Sequence, residues 1–146
     1  MQPWSVLIVD DEEDFLETIV RRLERRNIDA TGVRSGEQAL LKLKEKDFQV
    51  ILLDVKMPGG MDGIETLREI KKMSPQSQVI LLTGHGAVEM SVEGMKMGAF
   101  DYVMKPVKLE SLLVKISDAV KGRVSDARST EQGGRAEPDK GSGEEL

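Results

Sequence analysis

The stretch Val50-Ile51-Leu52-Leu53-Asp54 constrains this chain more than any other. Four consecutive aliphatic residues end on a carboxylate and are followed by a turn signal, Pro58-Gly59-Gly60. Such a run describes a strand buried on both faces, which belongs inside a parallel sheet covered by helices. Two further runs have the same character. Val6-Leu7-Ile8-Val9 ends in Asp10-Asp11, and Val79-Ile80-Leu81-Leu82 ends in Thr83-Gly84-His85-Gly86. Weaker strand segments lie at Ile28 to Val33, nearer an edge, and around Tyr102-Val103-Met104, which runs into Lys105-Pro106.

Between these runs the apolar period becomes helical. Phe15, Leu16, Ile19, Val20 and Leu23 form one stripe, with acids before it and Arg21, Arg22, Arg25 and Arg26 near its end, as the helix dipole favours. Ser35 followed by Gln38 reads as a capping box opening a helix through Ala39, Leu40 and Leu43. A helix from about Gly63 to Met73 turns Ile64, Leu67 and Ile70 inward, and Ser74-Pro75 stops it. Another spans roughly Val88 to Met97, interrupted by Gly94, and a last one Leu109 to Val120. Five strand–helix alternations predict a three-layer, doubly wound α/β fold with a five-stranded parallel sheet and right-handed crossovers.

Composition narrows the function classes. The 146 residues suffice for one domain. Without cysteine, and with one histidine, neither a thiolate nor a histidine-rich metal site is available. The apolar runs are strand-sized and the start lacks a signal-peptide pattern, so we expect a cytoplasmic protein with no membrane partner. A net charge of −5 without a basic stripe argues against direct nucleic-acid binding. From Gly122 to Leu146 the periodicity dissolves into Gly, Ser, Glu and Asp, with four Lys/Arg against six Asp/Glu. We therefore expect a folded domain over residues 1–121 and a disordered tail over 122–146.

Chemistry gathers at the strand ends. In a parallel sheet Asp10, Asp11, Asp54, Thr83 and Lys105 all fall on one edge, where ligands of open α/β sheets bind. Some of the acids after Val9 can serve as helix N-terminal charges, but five in succession exceed that need. Two unit charges about 4 Å apart repel by about 4 kcal/mol at an effective dielectric near 20, so converging carboxylates call for a proton or a cation. With only oxygen donors the cation is a hard one, Mg²⁺, which usually completes its shell with water and phosphate oxygens. Lys105 and the Thr83 hydroxyl would hold the remaining oxygens of a phosphoryl group. The chemistry implied is phosphoryl transfer to Asp54 as carboxylate nucleophile.

Six blocks, taken in order, resemble the receiver domain of bacterial response regulators. They are Val9-Asp10-Asp11-Glu12, Leu53-Asp54 with Met57-Pro58, Met61-Asp62-Gly63, Leu82-Thr83-Gly84, Gly98-Ala99-Phe100-Asp101-Tyr102 and Lys105-Pro106. The resemblance covers about residues 5–121. It implies a flavodoxin-like strand order 2-1-3-4-5, a cis Lys105-Pro106 bond, and phosphorylation of Asp54 by a sensor histidine kinase or phosphotransfer domain. It further implies that Asp11, Asp54 and the Lys56 carbonyl hold Mg²⁺, with Asp10 acting through water. Thr83 and Lys105 would contact the phosphoryl group, and Tyr102 would couple phosphorylation to a face that binds a downstream protein target. The chain would act without an attached output domain and catalyse only its own phosphorylation and dephosphorylation.

Two departures from the family pattern stand out. Gly59 and Gly60 both precede Met61, one residue more than is usual, and Val107 follows Lys105-Pro106 where phenylalanine is common. A phosphatase of the haloacid dehalogenase type is the competing enzyme class, but it needs a second aspartate two residues after the nucleophile, and Lys56 stands there. A receiver-like module that binds partners without phosphorylation is disfavoured by the intact acidic set. Nucleotide-binding readings lack a glycine fingerprint after the first strand. Trp4 is expected to be a packing residue, and His85 an exposed loop residue.

Overall fold

Strands and helices alternate five times along the chain, in a computed structural model that describes residues 2–124 and Leu146. The strands are β1 (Ser5–Val9), β2 (Asp29–Val33), β3 (Val50–Asp54), β4 (Gln78–Thr83) and β5 (Asp101–Met104). The helices are α1 (Glu13–Glu24), α2 (Gly36–Glu45), α3 (Gly63–Met73), α4 (Val88–Lys96) and α5 (Leu109–Val124). All four strand pairings are parallel, and the sheet order is β2-β1-β3-β4-β5. This is the doubly wound, flavodoxin-like arrangement expected above, with β2 at an edge.

The alternation of side chains along each strand divides the core in two. Val6, Ile8, Val50, Leu52, Ile80 and Leu82 face one way, toward Leu16, Ile19 and Leu23 of α1 and Leu112 and Ile116 of α5. Leu7, Val9, Ile51, Leu53, Val79 and Leu81 face the other way, toward Ala39 of α2 and Leu67 and Ile70 of α3. Most of these side chains are fully buried, which explains why the three central strands read as unbroken apolar runs.

Caps set where the helices begin. The Ser35 hydroxyl accepts from the Gln38 N–H at 3.1 Å. The Gln38 side chain reaches past Ser35 and accepts from the Arg34 N–H at 2.8 Å, so the expected box is displaced by one residue. A reciprocal capping box does form at α3, between Asp62 and Glu65. The extra residue in the β3–α3 connection is absorbed by two glycines at positive φ, Gly59 at 81° and Gly60 at 141°. The Glu37 carboxylate holds the end of that loop by accepting from the Met61 N–H at 3.2 Å.

The Lys105-Pro106 bond is cis. Helix α5 continues to Val124, beyond the helix end expected at Val120 and the domain end expected at residue 121. Of the tail expected to be disordered, residues 125–145 lie outside the described residues. Leu146 exchanges backbone hydrogen bonds with Val107 and packs against the α1/α5 half of the core.

Candidate functional site

Backbone hydrogen bonds extend the sheet just beyond its strands and fix the residues at its carboxyl edge. The Asp10 N–H donates to the Val33 carbonyl at 3.1 Å, the Val55 N–H to Leu82 at 3.1 Å, and the Lys105 N–H to Thr83 at 2.7 Å. Side chains from three different strands are thereby aimed at one place. Asp10, Asp11 and Asp54 each present a carboxylate oxygen, all within 4.8 Å of one another. Asp10 is fully buried, Asp54 nearly so, and Asp11 half-buried.

Each carboxylate has different partners. Asp10 Oδ1 accepts from the Glu12 N–H at 2.9 Å, and its Oδ2 accepts from Lys105 Nζ at 2.8 Å. Asp54 Oδ1 accepts from the Lys56 N–H at 3.2 Å, while Lys105 Nζ stands 3.8 Å from its Oδ2, too far for a hydrogen bond. Lys105 also donates to Glu12 Oε1 at 2.9 Å, and its ammonium lies 4.5 Å from the centre of the Phe15 ring.

The electrostatics follow from burial and crowding. Burial first, and then the neighbouring Asp10 charge, push the Asp54 carboxyl up to about 7, against the pull of Lys105 and the Lys56 N–H. Asp10 is also raised: burial outweighs its bonds to Lys105 and to the Glu12 N–H. Burial would lower Lys105, but hydrogen bonds to Asp10 and Glu12 outweigh it and hold the ammonium above its ordinary value. Near neutral pH burial and crowding thus favour the protonated Asp54 carboxyl more than in an ordinary aspartate, and a cation beside it would favour the carboxylate.

The donor set fits a hard divalent cation. Every donor in the cluster is a carboxylate oxygen, and no nitrogen or sulfur ligand is among the grouped residues. Both Asp10 oxygens already accept a hydrogen bond, whereas Asp54 Oδ2 has only the distant lysine. Asp11 and Asp54 are thus the freer of the three to bind such a cation.

The remaining expected residues are less tightly gathered. Thr83 ends β4 and is buried, but its hydroxyl turns toward the Ala87 carbonyl, at a long 3.4 Å. Lys56 has an exposed side chain that extends toward Gly86 in the β4–α4 loop. The Tyr102 side chain is 44% exposed and lines a shallow groove with Met104, Pro106 and Lys115, apart from the acidic cluster. His85 is exposed, as expected. Two residues that sequence reasoning had given other work belong to the site: Glu12, read as one of several helix-start acids, and Phe15, read as a core residue. Glu12 immediately precedes α1 and Phe15 lies in its first turn, and their closeness in sequence to Asp10 and Asp11 is the one signal that could have found them.

The sequence matches the response regulator receiver domain family over residues 6–117. Among named relatives, a transcriptional regulatory protein ZraR of Klebsiella oxytoca is 36% identical over 128 residues, 87% of this chain and 29% of the relative. A putative NtrX-like response regulator of Rickettsia bellii is 39% identical over 79% of this chain and 24% of its own length. The chain thus spans about a quarter of the length of these relatives. Among solved structures, a response regulator receiver domain protein from Clostridium thermocellum superposes with a TM-score of 0.79 at 35% identity, over 84% of this chain and 98% of that one. A CheY-like receiver domain protein from Methanospirillum hungatei gives 0.80 at 31% identity, over 85% and 98%.

Proposed function

The chain belongs to the response regulator receiver domain family of two-component systems, and on that premise we propose that Asp54 accepts a phosphoryl group from a histidine kinase or phosphotransfer protein. The observation that carries this reading is the convergence of Asp10, Asp11 and Asp54 with Lys105 beside them, at the carboxyl edge of the sheet. An Asp54 oxygen attacks phosphorus, the bond to the donor's nitrogen or oxygen breaks with its electron pair leaving on that atom, and an acyl phosphate forms. Asp11, Asp54 and the Lys56 carbonyl are the proposed Mg²⁺ ligands, with Asp10 acting through water, since both its oxygens are already occupied. Bound there, Mg²⁺ supplies the positive charge that keeps Asp54 ionised and offsets the charge of the phosphoryl oxygens.

The chain's own residues do the rest. The Lys56 N–H orients the Asp54 carboxylate, and Lys105 is near enough to reach a phosphoryl oxygen after a small movement. The Thr83 hydroxyl gives up a long bond to Ala87 when it turns to the phosphoryl group. That movement makes room for the Tyr102 ring to leave solvent, which alters the exposed face formed by Val88, Val92, Met95, Tyr102 and Met104. Such a face suits a downstream protein target. The protein acts as a switch that modifies itself and turns over no small-molecule substrate.

Intact-mass spectrometry after incubation with Mg²⁺ and acetyl phosphate tests the reading. We expect one added phosphoryl group on the wild type and none on Asp54→Asn or on wild type kept in excess chelator. An unchanged wild-type mass, under conditions that modify a known receiver domain, would overturn it.

A further inference from the structure

Lys105 hydrogen-bonds two other carboxylates and only stands within ion-pair distance of the phosphoacceptor. An ammonium has three donors. Two are spent on Asp10 Oδ2 at 2.8 Å and Glu12 Oε1 at 2.9 Å, and the charge also rests 4.5 Å from the centre of the Phe15 ring. Asp54 Oδ2, the group Lys105 is to serve, is left at 3.8 Å. Glu12 occupies the N-cap position of α1, yet its side chain makes no capping hydrogen bond, so it is free for the lysine. Glu12, just ahead of α1, and Phe15, in its first turn, present an anion and an aromatic face to the same cation.

We propose that Glu12 and Phe15 are positioning residues that retain Lys105 away from Asp54 until the phosphoryl group arrives, and so set how fast the acyl phosphate forms. This rests on the reading of Asp54 as phosphoacceptor. Lys105 must surrender one bond to reach a phosphoryl oxygen, and the choice between its two partners follows from their exposure. Asp10 is fully buried, and leaving it would strand a buried carboxylate. The Glu12 side chain is 63% exposed, so water replaces the lysine at little cost. The Glu12 bond is the one that opens, and its strength is part of the barrier.

The experiment compares wild type, Glu12→Gln, Phe15→Leu, Lys105→Met and the Glu12→Gln/Lys105→Met double variant. Phosphorylation by acetyl phosphate at saturating Mg²⁺ is followed by intact mass across donor concentrations. Glu12→Gln is expected to raise the maximal rate about two- to fivefold, the span open to a solvent-screened ion pair. The half-saturating donor concentration stays unchanged, because Glu12 acts on the lysine and not on donor binding. In the Lys105→Met background the same change has no effect. Phe15→Leu gives a smaller increase in the same direction.

Proton NMR without any phosphodonor supplies a second readout. The Lys105 Cε protons, held beside the Phe15 ring, are expected to be shifted upfield by its ring current and to move toward the free-lysine position in Glu12→Gln. An unchanged or lower rate in Glu12→Gln, an acceleration that persists without Lys105, or Cε protons indifferent to Glu12 would each overturn the proposal. If the wild type gains no phosphoryl group at all, the phosphoacceptor reading fails first. That result is distinct from a phosphorylated wild type with an unaltered Glu12 variant.

Discussion

Helices α1 and α4 lie on opposite faces of the sheet and are held by different means. In α1 three large aliphatic side chains, Leu16, Ile19 and Leu23, are buried against the sheet. Each contributes roughly 1.5–3 kcal/mol relative to leaving it exposed. In α4 the buried residues are Ser91 and Gly94, and Met90 and Met97 are only partly covered. Val88, Val92 and Met95 of α4 face solvent. What α4 lacks in apolar burial it partly recovers by close approach: a Cβ on Gly94 would lie 2.6 Å from Leu81 Cδ1.

The difference matches the roles proposed above for the loops that precede the two helices. Asp10, Asp11 and Glu12 lead into α1, where rigid anchoring keeps the acidic frame and Lys105 in place. Thr83 and Ala87 lead into α4, where little apolar burial opposes movement. A switch needs both parts: a site whose geometry persists, and an element whose alternative positions differ by only a few kcal/mol.

The largest effect should separate the two helices by stability. Ile19→Ala removes a fully buried side chain and is expected to cost about 2–5 kcal/mol in urea unfolding. Val92→Ala, at an exposed position of α4, should stay within about 0.5 kcal/mol. Comparable losses from the two would erase the contrast.

Asp54→Asn sharpens the electrostatic side of the comparison, because the firmly held half surrounds a group that resists ionisation. The Asp54 carboxyl is raised from 3.8 to about 7 in the folded protein, so between those values the native state holds the proton more tightly than the unfolded chain. Its contribution to stability is fully present below about pH 4 and is lost as pH rises through about 7. Asp54→Asn removes that loss, so its gain over wild type without divalent cation should be small near pH 4 and reach up to about 4 kcal/mol at pH 8. Added Mg²⁺ should narrow the gap at pH 8 by stabilising the wild type. An equal gain at both pH values would contradict the assignment.

Gly94→Ala tests how closely α4 is seated. Overpacking against the fully buried Leu81 costs about 1–3 kcal/mol. Better helix propensity returns about 1 kcal/mol. A net destabilisation of about 1 kcal/mol is expected. Net stabilisation would mean that α4 moves off the sheet without penalty and that the glycine serves no packing purpose.

A further expected effect is visible without mutation. Hydrogen exchange in the unphosphorylated protein should be roughly tenfold faster at residues 88–96 than at residues 13–24, reflecting lower local opening energies. Equal protection would break the account of α4 as the movable element.

Much of the fold was legible because apolar runs and helical periods are local. Val50 to Leu53 carries its own evidence of burial on both faces, and the stripe from Phe15 to Leu23 carries that of a helix. The acidic set was legible too, since parallel strands bring Asp10, Asp11 and Asp54 to one edge whatever their rotamers. Side-chain pairing across the fold was not. Lys105 meets Asp10 and Glu12 across 95 and 93 residues of chain, and nothing in either neighbourhood signals that it favours them over Asp54. The looser hold on α4 was partly legible in Gly94 and in the unbranched Met90, Met95 and Met97. Only the packed structure shows that Gly94 approaches the sheet while Val88, Val92 and Met95 remain in solvent. Sequence by itself determined the elements and the edge where the charges gather, because burial leaves a periodic trace. Tertiary structure decided which charge meets which and how deeply each helix is buried, because those depend on distances between segments that the chain brings together only on folding.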